Sequence, residues 1–216
     1  KCPAVVRMVY GAGMQTAAQH SQSVYALLTA MPGLKVVLPA TPADAKGLLT
    51  EALRGDDPVM FFEHKAMYDE EAEVPDDAYT IPFGEANVTR EGDDVTIITM
   101  GRMVGFSNQV ADRLAKDDIS CTVVDLRTTS PLDTETILRE AGRGGRLVVV
   151  QDDVHALGFL DERSGDITAL LAAWGIDDAS CRTQLLDIAK RPGASESRSP
   201  RGAEDEAGPG EAGGQG

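Results

Sequence analysis

The sequence has few features that would bind the chain to a membrane or to nucleic acid. No apolar run approaches the roughly 18 residues that a membrane-spanning helix needs. Positive charge is in the minority, since 20 Lys and Arg stand against 35 Asp and Glu for a formal net charge of −15. This excess of negative charge opposes attraction to phosphate backbones and to anionic lipid. We therefore expect neither nucleic acid nor a membrane as a partner.

Cysteine is also scarce, and its spacing argues against the usual disulfide and metal frameworks. Cys2, Cys121 and Cys181 lie far apart and are odd in number, whereas disulfide frameworks and metal motifs use paired cysteines. A reducing, cytoplasmic setting is the expectation. The chain opens without an initiating methionine or a signal peptide, and we expect it to be an amino-terminally truncated part of a longer protein.

What the sequence does contain is an alternation of short apolar runs with helical patterns. Strands are expected at residues 4–10, 35–40 and 58–63, with helices at residues 24–31 and 41–54. Strands that alternate with helices pair in parallel through crossover connections. A second alternation follows, with elements expected at residues 95–100, 104–116, 121–126, 133–141 and 146–150. The fold class is therefore α/β.

Changes in composition divide the chain into two doubly wound domains. Residues 69–94 are rich in acids, proline and glycine, which is typical of a linker. This places one domain at residues 1–68 and a second at residues 95–190. Residues 191–216 lose the apolar side chains that could offset the entropy of ordering, so we expect a disordered tail there.

His20 is the first candidate for chemistry. It lies in a polar segment, after the turn Gly11-Ala12-Gly13 and before an expected helix. Parallel sheets present their ligand crevices at such positions, and an imidazole there can donate or accept a proton near neutral pH. Judged on these criteria alone, a hydrogen-bonded loop residue is the commoner interpretation.

Five segments, in order, resemble the beta subunit of the thiamin-diphosphate-dependent component of 2-oxo acid dehydrogenase complexes. They are residues 17–23, 32–39, 44–49, 58–63 and 125–133. The resemblance extends over about residues 1–152. It implies that the first domain is a partial transketolase-like pyrimidine-binding domain and that the second is a transketolase carboxyl-terminal-like domain.

Within this family, residues 7–13, 63–65 and 79–87 resemble acetoin dehydrogenase most. The resemblance implies an oxidoreductase subunit that takes part in acetoin cleavage and passes an acyl-level fragment to a lipoyl acyltransferase core. Beta subunits of pyruvate or branched-chain 2-oxo acid dehydrogenases are the alternatives. It also implies an alpha subunit as partner in a heterotetramer. His20 would lie over the reacting carbonyl, as proton donor or hydrogen-bond partner.

The same resemblance implies thiamin diphosphate as a cofactor shared with the alpha subunit, and Mg²⁺ bound on the alpha subunit. Relatives activate thiamin with a glutamate that has no counterpart here, because no acidic residue precedes Asp44. The cofactor-binding residues of this chain are therefore unknown. No glycine-rich phosphate motif followed by Asp and Asn is present either. We expect the chain to be inactive alone.

A possible potassium site is implied at residues 52–58, which resemble a cation-binding helix end in some relatives. By position, the main-chain ligands would come from Ala4, Ala52, Leu53, Gly55 and Asp57. The last carbonyls of a helix lack internal partners and carry partial negative charge, which suits a cation. An ordinary helix that ends at a glycine is an equally weighted alternative.

The resemblance becomes divergent after residue 153, apart from residues 165–172, and this leaves docking to the acyltransferase open. A second hypothesis is a truncated, non-catalytic assembly module. A third, an unrelated nucleotide-binding α/β domain, lacks any glycine-rich phosphate loop. His64 and Lys65 follow an expected strand, and a solvated strand end is the simplest interpretation of both.

Overall fold

A computed structural model of the chain describes residues 1–12, 14, 21–144 and 146–152. His20 and residues 153–216 lie outside the described residues, and with them the expected end of the second domain and the expected tail. Among the described helices, none is long and apolar enough to cross a membrane.

The first sheet has four strands in the order β1-β3-β2-β7. Strands β1, β2 and β3 are Val5–Tyr10, Lys35–Val37 and Val59–His64, and β7 is Thr128–Ser130. The pairs β1–β3 and β2–β3 are parallel, as the alternation predicts. Strand β7 joins the sheet antiparallel to β2. The first sheet therefore takes its last strand from the second half of the chain.

Two helices connect the first three strands. The short α1 covers Tyr25–Thr29 and the longer α2 covers Pro42–Arg54. The sequence specifies both ends of α2. The hydroxyl of Thr41 accepts the Asp44 N–H at 3.0 Å, and the helix stops where Gly55 leaves helical geometry. A capping threonine followed by proline in the first turn is a strong start signal.

The second sheet has the order β4-β6-β5-β8. Strand β5 is parallel to both of its neighbours, whereas β4 is antiparallel to β6. Helices α3 and α4 complete this half of the chain. The elements are β4 (Asn87–Arg90), β5 (Val95–Thr99), α3 (Arg102–Leu114), β6 (Cys121–Asp125), α4 (Thr134–Gly144) and β8 (Leu147–Val149).

The expectation of purely parallel sheets is wrong at two strands. Strand β4 lies within residues 69–94, where the composition predicts only a connection, and β7 crosses to the first sheet. Both strands are short and largely polar, Asn-Val-Thr-Arg and Thr-Thr-Ser. Strands of this kind carry no hydrophobic periodicity, so only their long-range pairing reveals them.

One hydrophobic cluster joins the two sheets. It includes Tyr10 and Phe62 from the first sheet and Ile98 and Val124 from the second, all at most 3% exposed. Two smaller clusters lie elsewhere, one between α2 and the first sheet and one between α3 and the second. Burial of these apolar side chains is the main force that holds the two sheets together.

Candidate functional site

The carboxyl ends of β1 and β3 meet at a single point. Tyr10 and His64 are register partners in the last pair of the two strands, and their rings lie edge to face with centroids 5.0 Å apart. Gly11 follows with φ +92°, and a Cβ there would lie 2.0 Å from Nε2 of His64. Glycine is needed here because no side chain fits between the main chain and the imidazole.

His64 is buried and hydrogen-bonded on both ring nitrogens. Its Nδ1 accepts the Ala66 N–H at 3.2 Å, and its Nε2 lies 2.6 Å from Oδ2 of Asp152. Since Nδ1 is an acceptor, we infer that Nε2 carries the proton and donates a hydrogen bond to the Asp152 carboxylate. The expectation of a solvated strand end is wrong, because the chain after β8 covers this residue, which is only 2% exposed.

Asp152 is therefore the partner that brings the second half of the chain to this point. The hydrogen bond from His64 holds the pKa of the Asp152 carboxyl below its usual value, and the Arg102 guanidinium and the Ala12 N–H act in the same direction. The main-chain oxygen of Asp152 accepts the Ser23 hydroxyl at 2.7 Å. Asp152 thus contacts both the end of β3, through His64, and the segment before α1, through Ser23.

Lys65 is a second buried polar side chain, directly after His64. It is only 8% exposed, so the solvated strand end predicted for it is also wrong. Its Nζ lies 3.3 Å from Oγ of Ser21, the described residue that follows His20. The structure does not test the prediction for His20, which lies outside the described residues.

A cleft of about 190 Å³ has His64 among its lining residues. It lies between the amino end of α2 and the residues after β3, and Thr41, Met67 and Tyr68 are among its walls. Glu63 also faces it, but its carboxylate is engaged by Arg7 at 2.7 Å.

A second group of buried charges lies at the end of β6. Arg127 pairs with Asp44 of α2 at 2.8 Å, and its main-chain N–H donates to Oδ1 of Asp125 at 3.0 Å. Within the described part of the chain, Oδ2 of Asp125 has no hydrogen-bond partner. Burial raises the pKa of Asp125 to about 7. We assign this group to the packing of the two sheets, because it joins α2 of the first to β6 of the second.

The residues of the predicted potassium site lie around the end of α2. The Ala4 carbonyl accepts the Val59 N–H at 2.8 Å, and the Gly55 N–H donates to the Glu51 carbonyl at 3.1 Å. Ala52 and Leu53 belong to the last turn of the helix, and Asp57 follows it. Binding of K⁺ by their carbonyls stays a prediction. In the described ranges, no group of three or more His, Cys, Asp and Glu side chains is placed to hold a metal ion.

Sequence reasoning missed Asp152 and the closeness of Gly11 to His64. The glycine directly after an apolar strand could have suggested a close approach. Asp152 had no local signal, because it is one of two adjacent aspartates that follow an expected strand.

Two family models match the chain. The model for the transketolase pyrimidine binding domain matches residues 1–70, and the model for the transketolase C-terminal domain matches residues 84–201. A solved structure, a split gene transketolase described as an inactive beta4 tetramer, aligns with a TM-score of 0.58 and covers 86% of this chain and 65% of that chain. At 21% sequence identity, this likeness supports the fold alone.

Curated relatives share much higher sequence identity. The acetoin:2,6-dichlorophenolindophenol oxidoreductase subunit beta of Cupriavidus necator is 55% identical over 150 residues, which is 69% of this chain and 44% of the relative. The 2-oxoisovalerate dehydrogenase subunit beta of Bacillus subtilis is 52% identical over 162 residues, 74% of this chain and 50% of the relative. The pyruvate dehydrogenase E1 component subunit beta of the same organism is 50% identical over 158 residues, which is 73% of this chain and 49% of the relative. The chain spans about half the length of these relatives.

Proposed function

Because the chain belongs to the transketolase-like family that includes the beta subunits of 2-oxo acid and acetoin dehydrogenases, we propose that it serves in the beta subunit of a thiamin-diphosphate-dependent dehydrogenase. The family models and the curated relatives confirm the family resemblance. The observed strands and helices confirm the α/β fold expected from the sequence. The observation that carries the proposal is an identity of 50–55% to three such subunits over 150–162 residues. These stretches cover 69–74% of this chain.

The substrate we propose is acetoin. Residues 7–13, 63–65 and 79–87 support it by their resemblance to acetoin dehydrogenase, and the relative from Cupriavidus necator supports it with 55% identity. Branched-chain 2-oxo acids and pyruvate are the alternatives, since beta subunits named for them are 52% and 50% identical. The identities differ too little to decide the substrate.

The chemistry of the reacting carbon belongs to the cofactor. Thiamin diphosphate, when bound, supplies a nucleophilic carbon and stabilises the carbanion that cleavage leaves. We assign no residue at the ends of β1 and β3 to the cofactor, because the polar atoms of the buried Ser23 and His64 are already hydrogen-bonded within the chain. His20 is the residue we propose to donate a proton or a hydrogen bond at the reacting carbonyl.

The remaining parts of the proposed assembly lie outside the described chain. We propose an alpha subunit as partner in a heterotetramer, which would bind Mg²⁺ and the diphosphate, and a lipoyl acyltransferase core as acceptor of the acyl fragment. Potassium at the end of α2 would be a structural ion. On this proposal the chain is inactive without its alpha subunit.

Dye reduction tests the proposal. The chain, joined to an amino-terminal segment of a related beta subunit that supplies the activating glutamate, is assembled with a dehydrogenase alpha subunit, thiamin diphosphate and Mg²⁺. Reduction of dichlorophenolindophenol is then followed with acetoin, pyruvate and 2-oxoisovalerate in turn. We expect turnover only with both subunits and the highest kcat/KM with acetoin. A complex that binds thiamin diphosphate but reduces no dye with any of the three would contradict the enzymatic role and favour the assembly module.

Two histidine variants test the role of His20. His20→Ala should lower kcat by about 10²-fold or more, which is the usual contribution of a positioned proton donor. The third histidine of the sequence, His155, lies outside the five segments that carry the family resemblance. His155→Ala is therefore the matched control, and it should leave kcat within about twofold of the unmodified chain. Equal activities of the two variants would exclude His20 from the reaction.

A further inference from the structure

Three buried side chains in the second half of the chain each have a polar oxygen without a hydrogen-bond partner. Within the described part of the chain, these oxygens are Oγ1 of Thr99, Oγ of Ser107 and Oδ2 of Asp125. The three residues are 0%, 3% and 1% exposed, so bulk water does not reach them. A buried polar group without a partner is destabilising, and most such groups in folded proteins bind either protein or an ordered water.

Strand register places two of these residues side by side under α3. Thr99 and Asp125 are register partners in the parallel pair β5–β6, so their side chains lie on the same face of the sheet. Ile97 and Val123 precede them by two residues on the same strands and share that face. Both belong to the hydrophobic cluster that includes Ala111 of α3. The side chains of Thr99 and Asp125 therefore face this helix.

Helix geometry places Ser107 opposite this pair. Helix α3 connects β5 to the parallel strand β6, so it runs antiparallel to both strands. Its buried residues are Val104, Ser107 and Ala111. Ser107 precedes Ala111 by one turn, about 6 Å along the helix, and this matches the roughly 6.6 Å that two residues span in a strand. The three polar side chains therefore meet at one level between α3 and the sheet.

We propose that Thr99, Ser107 and Asp125 form an internal site that binds one water molecule. Their three oxygens make no direct hydrogen bond to one another, and water bridges polar groups that are too far apart for a direct bond. An internal water makes about three hydrogen bonds to otherwise unsatisfied groups, which is the number of partners at this level. The two hydroxyls can each donate or accept, and the Asp125 carboxyl supplies the third partner.

The water in this site fixes a carboxyl that also supports a turn of the main chain. Oδ1 of Asp125 accepts the Arg127 N–H at 3.0 Å. Arg127 has a φ of +55°, in the left-handed region that disfavours side chains. The guanidinium of Arg127 pairs in turn with Asp44 of α2 at 2.8 Å. The site thus supports the turn that connects the second sheet to α2, and it is independent of the proposed catalytic role.

Three variants test the site. Thr99→Val combined with Ser107→Ala removes both hydroxyls and leaves one partner, fewer than the two to four that an internal water needs. Ser107→Val displaces the water by another route, because its larger side chain fills the space. Thr96→Val is the matched control. Thr96 is a threonine of the same strand at 0% exposure, and its hydroxyl already donates to the Glu140 carbonyl at 2.7 Å.

Oxygen-17 magnetic relaxation dispersion of the solvent counts the internal water molecules of the full chain, and circular dichroism checks folding. We expect the double variant and Ser107→Val each to lose the contribution of one water molecule, and Thr96→Val to lose none. An unchanged count in the folded double variant overturns the proposal. If the double variant does not fold, an unchanged count in Ser107→Val has the same meaning.

Urea unfolding gives a second readout. Hydroxyls that share one water are coupled, so the double variant should raise the unfolding equilibrium constant by at least about twofold less than the product of the two single effects. Single effects that simply multiply would contradict a shared site. A bound cation is the competing occupant. If stability depends on potassium in place of choline at equal ionic strength, and the double variant removes that dependence, the occupant is a cation and the water proposal fails.

Discussion

The buried carboxylate of Asp125 should make the stability of this chain fall as the pH rises. Asp125 is 1% exposed, and its Oδ2 finds no hydrogen-bond partner among the residues that the structure describes. Burial raises the pKa of Asp125 from 3.8 to about 7. In the folded chain the carboxyl keeps its proton up to about pH 7, whereas in the unfolded chain it loses it near pH 4.

The sign and the size follow from this difference. The folded state binds more protons than the unfolded state between about pH 4 and pH 7, so the free energy of unfolding falls with rising pH over this window. A shift from 3.8 to about 7 corresponds to roughly 4 kcal/mol in total, at about 1.4 kcal/mol for each pKa unit. The contribution is fully present below about pH 4 and is lost once the pH has risen through about 7.

Asp125→Asn isolates this effect. The amide has no charge at any pH, and its oxygen can still accept the Arg127 N–H that Oδ1 accepts at 3.0 Å. We expect the free energy of unfolding of the variant, relative to the unmodified chain, to rise by roughly 4 kcal/mol between pH 4 and pH 8. Urea unfolding followed by far-ultraviolet circular dichroism at intervals of half a pH unit measures it, with equal m-values as the condition for comparison.

A surface carboxylate provides the control for this experiment. Asp112 pairs with Arg90, and its side chain is 69% exposed. Exposed pairs contribute about 1 kcal/mol at most, so Asp112→Asn should leave the pH dependence close to that of the unmodified chain. Parallel curves for Asp125→Asn and the unmodified chain from pH 4 to pH 8 would refute the reasoning, because they would mean that Asp125 is already ionised in the folded state.

Two further pairs of variants test local features by chemical denaturation. Gly33→Ala should lower the free energy of unfolding by about 1 kcal/mol, from positive φ alone. Gly11→Ala should lower it by about 2 kcal/mol more, because its Cβ would overlap His64. Equal losses in the two variants would contradict the close approach of Gly11 to His64. The φ angle is +88° at Gly33 and +92° at Gly11. A Cβ at Gly33 would have no atom within 4 Å, whereas a Cβ at Gly11 would lie 2.0 Å from Nε2 of His64. Thr41→Ala should lower the free energy of unfolding by about 1 kcal/mol through loss of the helix cap. The Thr50 hydroxyl donates to a carbonyl inside α2, so Thr50→Ala should change it by less than about 0.5 kcal/mol. Equal effects would mean that the cap of α2 contributes nothing.

Much of the fold could be predicted because its signals are local. Helix α2 shows this best, since the expected range 41–54 differs by one residue from Pro42–Arg54. The cap, the proline and the terminal glycine all lie within the helix or next to it. The expected strand at 58–63 likewise differs from β3, Val59–His64, by one residue at each end. Apolar periodicity and end signals were enough for these elements.

The rest of the fold depends on contacts between residues that are distant in sequence. Strand β7 contains Thr128, Thr129 and Ser130, which look like a loop until the sheet edge at β2 supplies partners for their main-chain groups. The burial of His64 is decided by Asp152, which is 88 residues away. The sequence around a histidine at a strand end is the same whether its imidazole faces water or a carboxylate.

The sequence by itself therefore determined the family and the α/β class, because these follow from motifs in order along the chain. The role of His20 stays a prediction from the same motifs. Only the tertiary structure decided which groups meet at the carboxyl ends of β1 and β3. Gly11, His64 and Asp152 come together because two sheets share one apolar core and bring the ends of β3 and β8 to the same place. Packing of this kind has no local signature, since it arises from burial of side chains that any part of the chain could supply.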